Sequence, residues 1–161
     1  LAPVDDAPNV VAEIDPLMNA GTASPSIVAT RPSEDIASAE GSADTDAMDD
    51  LDYYRNTLNI PKEKLILGVP FYGHGFGPGL NDPVIPWMSY QAIVSTYAGA
   101  EWVDHWHFPN GYIMYYNGIP TIQNKTELAK KEAGGIMIWE LGYDMPDGGK
   151  SLLNAIFKAA Q

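Results

Sequence analysis

The chain has 161 residues, a formal net charge of −12 at pH 7 and no cysteine. This length is enough for one domain with a hydrophobic core. The absence of cysteine excludes disulfide bonds and thiolate zinc sites. The acidic balance, with no basic cluster, argues against nucleic acid or an anionic membrane as a partner. The longest apolar runs are far shorter than the ~20 residues that span a bilayer.

Residues 1–52 differ in texture from the rest of the chain. They hold 12 of the 21 acidic residues, a single base and five prolines, but no aromatic residue. Such a segment has little apolar surface to offset the entropy of ordering, so we expect it to be disordered or loosely packed. Its Asp-rich run over 40–52 lacks the EF-hand spacing, which favours a solvated acidic segment over a calcium loop. All 17 aromatic residues lie in 53–161, where we expect the folded domain.

The first predicted elements of this domain are a helix, a strand and a glycine-rich loop. Leu51, Tyr54 and Leu58 have helical spacing, which predicts a short helix over 49–58 that ends before Pro61. The mostly apolar run KLILGVPF at 64–71 is typical of a strand buried on both faces of a parallel sheet. The stretch 72–79 (YGHGFGPG) predicts a loop rich in glycine and aromatic residues.

The remaining elements alternate between helices and strands. Ser89 is a predicted N-cap for a helix that extends to about Tyr97. Thr121 is a predicted cap for a second helix, with Gly134 just beyond its end. Four further elements are predicted: two hairpin strands at 101–107 and 111–116, a buried-type strand at 135–140, and a closing helix at 150–160 with Leu153, Ile156, Phe157 and Ala160 on its inner side.

Strands that alternate with helices indicate a parallel α/β architecture, in which ligands bind at the carboxyl ends of the strands. Tyr72 and Trp139 lie at those ends. The glycine-rich stretch does not match the GxGxxG dinucleotide motif, and Pro78 and Pro83 argue against a helix that begins there. We therefore predict no cofactor and no metal.

Aromatic residues near the two strand ends are the candidate binding residues. Trp139 can offer a flat π-face to the apolar side of a sugar ring, although composition alone predicts equally well a tryptophan that packs in the core. Four other residues could complete an aromatic groove, and each of them taken singly is more often a packing residue. These four are Tyr72, His74, Phe76 and Trp87.

Three segments of the sequence resemble the glycoside hydrolases of family 18, the chitinase-like enzymes. They are KLILGVPFYGHGF at 64–76, YYNGIPTIQNKTELAKKEAGGIMIWELGYD at 115–144 and SLLNAIFKA at 151–159. They look like the seventh strand, the segment leading through the eighth strand, and the end of that family's barrel. The resemblance implies an α/β fold: part of a (β/α)8 TIM barrel, with a small α+β insertion between its last two strands.

The resemblance also implies an activity, which is cleavage of β-1,4-linked N-acetylglucosamine glycans by a substrate-assisted retaining mechanism. The family's tryptophan beneath the sugar corresponds to Trp139, and Tyr72 corresponds to the mouth of the seventh strand. His74 stands where many relatives have arginine. We interpret Glu140 as structural, because side chains next to each other in a strand point to opposite faces.

The family's acidic signature, Asp-x-x-Asp-x-Asp-x-Glu, is missing from all 161 residues. Cleavage therefore cannot be assigned to this chain alone, because a general acid contributes about 10²- to 10⁴-fold. The leading hypothesis is the C-terminal part of a secreted chitinase, with the rest of its barrel as a partner. The alternatives are a non-catalytic protein that binds chitin or N-acetylglucosamine, and a storage or inhibitor protein that lost the acid.

Overall fold

The computed structural model describes residues 27–29, 43–77 and 85–161. Most of the segment 1–52, predicted to be disordered or loosely packed, lies outside these residues, and so do Pro78 and Pro83. Within that segment the structure contains a short strand and a helix. The extent of the folded domain, placed at 53–161 by the sequence, stays a prediction.

The described residues form two sheets and four helices. The parallel sheet contains three strands in the order β1-β2-β7, and the antiparallel sheet contains four in the order β4-β3-β6-β5. The strands are β1 (Ile27–Ala29), β2 (Leu65–Pro70), β3 (Tyr72–Phe76), β4 (Ile85–Ser89), β5 (His105–His107), β6 (Ile113–Tyr115) and β7 (Gly135–Trp139). The helices are α1 (Ala43–Asp52), α2 (Tyr90–Thr96), α3 (Ile119–Glu132) and α4 (Leu152–Ala160).

The strand β2 is the centre of the parallel sheet, as its apolar run predicts. It pairs in parallel with β1 from Ile27 opposite Leu65, and with β7 up to Pro70 opposite Trp139. Leu65, Leu67, Gly68 and Val69 are buried, whereas Ile66, Pro70 and residues 135–138 of β7 are only partly buried and Trp139 is exposed. The prediction of burial on both faces is therefore only half correct, because the described strands are too few to close a barrel around the second face.

The strand β1 has no counterpart in the sequence predictions. Its three residues, Ile27–Ala29, lie between two prolines of the segment expected to be loose. The sequence signal for this strand is a short apolar run with two β-branched residues between prolines. A run of three residues is too short for its periodicity to indicate a strand.

The predicted glycine-rich loop is instead a strand over Tyr72–Phe76. Gly73 and Gly75 are buried and alternate with larger side chains on the other face. A Cβ atom on Gly73 would lie 2.7 Å from the carbonyl oxygen of Tyr115. Gly73 therefore permits close approach of β3 to β6 rather than a turn.

Two predicted helices begin or end at other residues. The predicted helix 49–58 starts earlier, as α1 at Ala43, and gives way to a π-helical segment at Tyr53–Thr57. The helix α3 begins at Ile119, so Thr121 lies inside it and is not its cap. Its start is held from outside: Asp104 accepts hydrogen bonds from the Gly118 N–H at 2.8 Å and the Thr121 hydroxyl at 2.7 Å.

The helix α2 has the predicted cap, and α4 has a serine cap that the sequence analysis did not predict. The Ser89 hydroxyl accepts from the Ala92 N–H, and Ser151 does the same for Asn154. Among the described residues, however, the buried face of α4 is not the predicted one. Leu152 and Ala155 are buried, whereas the side chains of Leu153 and Phe157 are exposed. These two residues are buried because their side of α4 packs against α3. This side is displaced by about one residue from the predicted inner side.

The predicted hairpin is present but shorter. The strands β5 and β6 pair antiparallel, with His105 opposite Tyr115 and His107 opposite Ile113. The four-stranded sheet, with α2 packed behind it, lies between β2 and α3 in the sequence. This arrangement is the α+β insertion that the resemblance implied.

Candidate functional site

The site begins where the two sheets meet. The strand β2 ends at Pro70 directly opposite Trp139, the last residue of β7. The N–H of Phe71 donates to the carbonyl oxygen of Trp139 at 2.8 Å, and the chain then enters β3 at Tyr72. The first residue of the antiparallel sheet is therefore held at the carboxyl end of the parallel sheet, beside the predicted sugar-stacking tryptophan.

The side chain of Trp139 is open to solvent, with 60% of its surface exposed. This is unusual for a large apolar residue at the end of a strand, where core packing was the alternative interpretation. Among the described residues, then, Trp139 does not pack as a core residue. Its peptide bond to Glu140 is cis. Glu140 follows at the start of a 3₁₀ turn over Leu141–Tyr143, and its carbonyl accepts from the Tyr143 N–H.

The strand β3 presents three of the predicted residues side by side. Tyr72, His74 and Phe76 alternate with the buried glycines and are partly exposed. The rings of Tyr72 and His74 meet edge to face, with 5.4 Å between their centroids. The structure therefore brings these three candidates together on one face of the sheet.

The same face continues across β6 and β5. Tyr115 pairs with His74 on one side and with His105 on the other. Its ring lies 5.9 Å from Phe76 and 6.2 Å from His105, and His107 follows beside His105. We call this surface the aromatic face; it consists of Tyr72, His74, Phe76, Tyr115, His105 and His107.

Sequence reasoning missed Tyr115 and the two histidines of β5. The signal was available in part, because the hairpin prediction paired their segments and the period-2 alternation put them on one side. The register was not predicted, and register decides which side chains share a face.

Trp87 belongs to a different contact. It lies on the edge strand β4 with about half of its surface exposed. Its ring lies 5.1 Å from that of Tyr143, in the turn that follows Trp139. The structure thus links Trp87 to the loop beyond β7.

The opposite face of the insertion sheet is a packed core. Met114 is fully buried, and Trp106 stacks on Tyr97 of the α2 end with 5.0 Å between ring centroids. The Tyr116 hydroxyl donates to the carbonyl of Ala100 at 2.9 Å. Burial and nearby acidic groups raise the pKa of Tyr116 well above its ordinary value, so this donor stays protonated at physiological pH.

A polar cluster ties the insertion to the loop after β7. The Lys150 ammonium lies 3.1 Å from the carboxylate of Glu101, and the Tyr90 hydroxyl donates to the Lys150 carbonyl at 3.0 Å. Burial acts to raise the pKa of Glu101, but hydrogen bonds from backbone N–H groups and Lys150 outweigh it and lower the pKa. Burial raises the pKa of Tyr90, with help from Asp144 and Glu101. Glu101 is therefore ionised and Tyr90 neutral at physiological pH.

A cavity among the described residues lies away from these side chains. It has a volume of about 660 Å³ and is lined by α1, the π-helical segment and α3, including Leu51, Arg55 and Glu132. Arg55 and Glu132 form an ion pair across it. It is a groove between helices, and none of the predicted site residues lines it.

No helix among the described residues has the length and apolarity to cross a membrane.

Comparisons with known proteins support the predicted resemblance. Residues 18–144 match the family model described as glycosyl hydrolases family 18. The GH18 chitinase ChiB of Flavobacterium johnsoniae is 36% identical in sequence, with a TM-score of 0.55 over 71% of this chain and 33% of that one. A chitinase of Bacteroides thetaiotaomicron is 28% identical, with a TM-score of 0.59 over 73% of this chain and 38% of that one.

A curated relative gives a similar match. The oviduct-specific glycoprotein of Mesocricetus auratus is 29% identical over an alignment of 119 positions that covers 58% of this chain and 18% of that protein. The chain thus spans less than a fifth of this relative and about a third of the two chitinases. The match to the family model begins at residue 18, which lies inside the segment predicted to be disordered or loosely packed.

Proposed function

Because the chain belongs to the glycosyl hydrolases of family 18, we propose that it forms the sugar-binding, C-terminal part of a chitinase-type hydrolase. Its fold is part of a (β/α)8 barrel with an α+β insertion between the last two strands. The substrate class is a β-1,4-linked N-acetylglucosamine glycan, bound with one sugar ring stacked on Trp139. The rest of the barrel, outside this chain, supplies the catalytic acid.

The exposure of Trp139 is the observation that carries this proposal. An indole with 60% of its surface free, at the carboxyl end of a parallel strand, offers a π-face at the edge where α/β proteins bind ligands. Tyr72 begins β3 beside it and leads onto the aromatic face. Apolar faces and edges of sugar rings fit such flat side chains, and the polar rims of tyrosine and histidine can bond the hydroxyl groups.

We assign sugar binding to this chain and acid catalysis to the rest of the parent protein because the sequence lacks the family's acidic signature. The Asp-x-x-Asp-x-Asp-x-Glu signature does not occur in these 161 residues. The sequence therefore lacks the family's glutamic acid that protonates the leaving oxygen and its aspartate that orients the acetamido group in a substrate-assisted mechanism. Stacking on Trp139 contributes to binding in both the ground state and the transition state. Hydrolysis is therefore a property proposed for the parent protein, which we also propose to be secreted because polymeric chitin lies outside cells.

Substitution of Trp139 tests the proposal. We expect Trp139→Ala to weaken binding of N-acetylglucosamine tetramer by about 1–3 kcal/mol, taking the range for a nucleobase stacked on an aromatic side chain as the guide. Trp102→Ala is the matched control, because Trp102 is exposed to the same degree, 59%, on a different element. Calorimetry on the 161-residue chain and kcat/KM in the parent protein give two independent readouts. Equal losses for both variants, or no loss for Trp139→Ala, would contradict the proposal.

A non-catalytic protein that binds chitin or N-acetylglucosamine is the second candidate. It is favoured by the aromatic face, which is built from neighbouring strands of one small sheet within this chain. This candidate predicts that the parent protein binds the tetramer without releasing shorter products. Product analysis by mass spectrometry distinguishes the two, since the hydrolase proposal requires cleavage that Trp139→Ala reduces.

A further inference from the structure

His105 and His107 form an exposed pair of histidines on the aromatic face. They are two residues apart on β5, so their side chains leave the strand on the same side. Both are exposed, and their ring centroids are 5.0 Å apart. In the sheet order β4-β3-β6-β5, the strand that carries them is an edge strand, and no other described strand covers its outer side.

From this geometry we propose that His105 and His107 bind a divalent first-row transition-metal ion, such as Zn²⁺, Ni²⁺ or Cu²⁺. Imidazole nitrogen is a preferred ligand for these ions. The proposal does not depend on the sugar-binding function.

The separation of the rings fits one shared ion. With metal–nitrogen bonds of about 2.0–2.1 Å, an imidazole centroid lies roughly 3.2 Å from the ion in its plane, so two rings at a tetrahedral angle have centroids roughly 5.2 Å apart. The observed 5.0 Å is close to this value. The centroid separation is therefore compatible with one ion held between the two rings.

The strand is held in place by the residue between the two histidines. Trp106 points to the other side of the sheet, where it stacks on Tyr97 and pairs with the buried Met114. Cross-strand pairing also fixes His105 opposite Tyr115. A pair that is preorganised in this way loses less conformational entropy when it binds an ion.

The site is open on the side of solvent. Among the described residues, no group of three or more histidine, aspartate or glutamate side chains is close enough to enclose a metal. Structural zinc sites are closed by four protein ligands, so this pair would leave the remaining positions to water. We therefore expect an exchangeable ion rather than one required for folding.

The test uses the full 161-residue chain without an affinity tag, titrated with Zn²⁺ and Ni²⁺ in a calorimeter. We expect one ion per chain, and at least a tenfold loss of affinity for His105→Gln and for His107→Gln. His74→Gln is the matched control, because it removes the remaining histidine of the aromatic face and leaves the pair intact. Near-UV circular dichroism checks that each variant keeps its tertiary packing.

A fourth variant distinguishes a folded site from chelation by a flexible chain. In Val103→His combined with His105→Gln, the two histidines are four residues apart and only His107 lies in β5, so they no longer form the pair two residues apart on one strand. We expect this variant to lose affinity as His105→Gln does. The proposal is overturned if the wild-type chain does not bind, if His74→Gln loses as much as the pair variants, or if the displaced pair retains full affinity.

Discussion

The ring of Trp87 lies 5.1 Å from the ring of Tyr143, measured between centroids, with 32° between the two planes. Trp87 is on the edge strand of the insertion sheet, and Tyr143 is in the turn that follows Trp139. The contact therefore connects the insertion to the loop beside the proposed sugar platform. Among the described residues, it gives Trp87 a packing role that the sequence prediction of a direct sugar contact did not include.

This contact should be measurable as an energetic coupling. In a double-mutant cycle of Trp87→Ala and Tyr143→Ala, we expect a coupling of about 0.5–1.5 kcal/mol in the free energy of unfolding, the range for aromatic pairs. Urea unfolding followed by far-UV circular dichroism provides the measurement. As a control, Trp102→Ala combined with Tyr143→Ala should be additive. A coupling near zero for Trp87 and Tyr143 would mean that the two rings pack independently.

The close approach of β3 to β6 predicts a position-specific cost of adding a methyl group. In Gly73→Ala, the new Cβ would lie 2.7 Å from the Tyr115 carbonyl oxygen, which is backbone and cannot move aside alone. We expect a loss of about 1–3 kcal/mol in unfolding free energy. Gly135→Ala is the matched control in β7, because its nearest atom is the Ile66 Cδ1 at an ordinary 3.5 Å. Similar stabilities for the two variants would contradict this packing.

The sequence predicted most of what depends on local pattern. The apolar run at 64–71 predicted β2, and Ser89 predicted the start of α2, because burial and capping leave signatures within a few residues. It failed where distant segments decide the outcome. The glycines of β3 were interpreted as a loop because the sequence does not show that β6 approaches them. Thr121 is predicted as a cap from its position before the helical pattern. The sequence does not show that its hydroxyl bonds Asp104, a residue outside the helix.

The candidate site divides in the same way. Trp139, Tyr72, His74 and Phe76 were found from their place after or within a strand. Tyr115 and His105 join them only through the register of β6 with β3 and β5. A one-residue slip would turn them to the buried side, and sequence alone does not fix that register.

Asp144 is predicted to hold the loop that follows Trp139. Its carboxylate accepts hydrogen bonds from the Met145, Leu152 and Leu153 N–H groups and from the Ser151 hydroxyl. It thus caps the first turn of α4 while it fixes the preceding loop. We expect Asp144→Ala to cost about 2 kcal/mol in unfolding free energy, at the upper end for loss of a cap.

The control for this prediction is in the same loop. Asp147 is exposed, and its carboxylate accepts from the Gly149 N–H at 2.8 Å. We expect Asp147→Ala to cost less than about 1 kcal/mol. If the two substitutions have equal effects in thermal unfolding, the capping role of Asp144 is wrong.

The ion pair of Glu101 with Lys150 predicts a dependence of stability on pH. The folded-state pKa of Glu101 is lowered, so folding favours its ionised form. Its contribution is therefore fully present above the unfolded-state pKa of about 4.3 and is lost as the pH falls through the lower folded-state value. We expect Glu101→Gln to lower the melting temperature at pH 7, and the difference from wild type to shrink towards pH 3. Glu127→Gln should show little difference at either pH, because Glu127 is exposed and its Lys130 partner is 3.5 Å away.

The exposed apolar residues of α4 predict opposite effects in the isolated chain and in the parent protein. Phe157 and Leu153 have 62% and 42% of their surface exposed on the helix that follows the last barrel strand. We propose that the rest of the barrel, which this chain lacks relative to the matched chitinases, packs against them.

In the isolated chain Phe157→Ser should then change unfolding free energy by less than about 0.5 kcal/mol and raise solubility. In the parent protein it should cost about 3 kcal/mol or more, as for removal of a buried phenylalanine. Lys158→Ser, at an exposed neighbouring position, should be neutral in both proteins. Equal, small effects of Phe157→Ser in both would mean that this side of α4 faces solvent in the complete barrel.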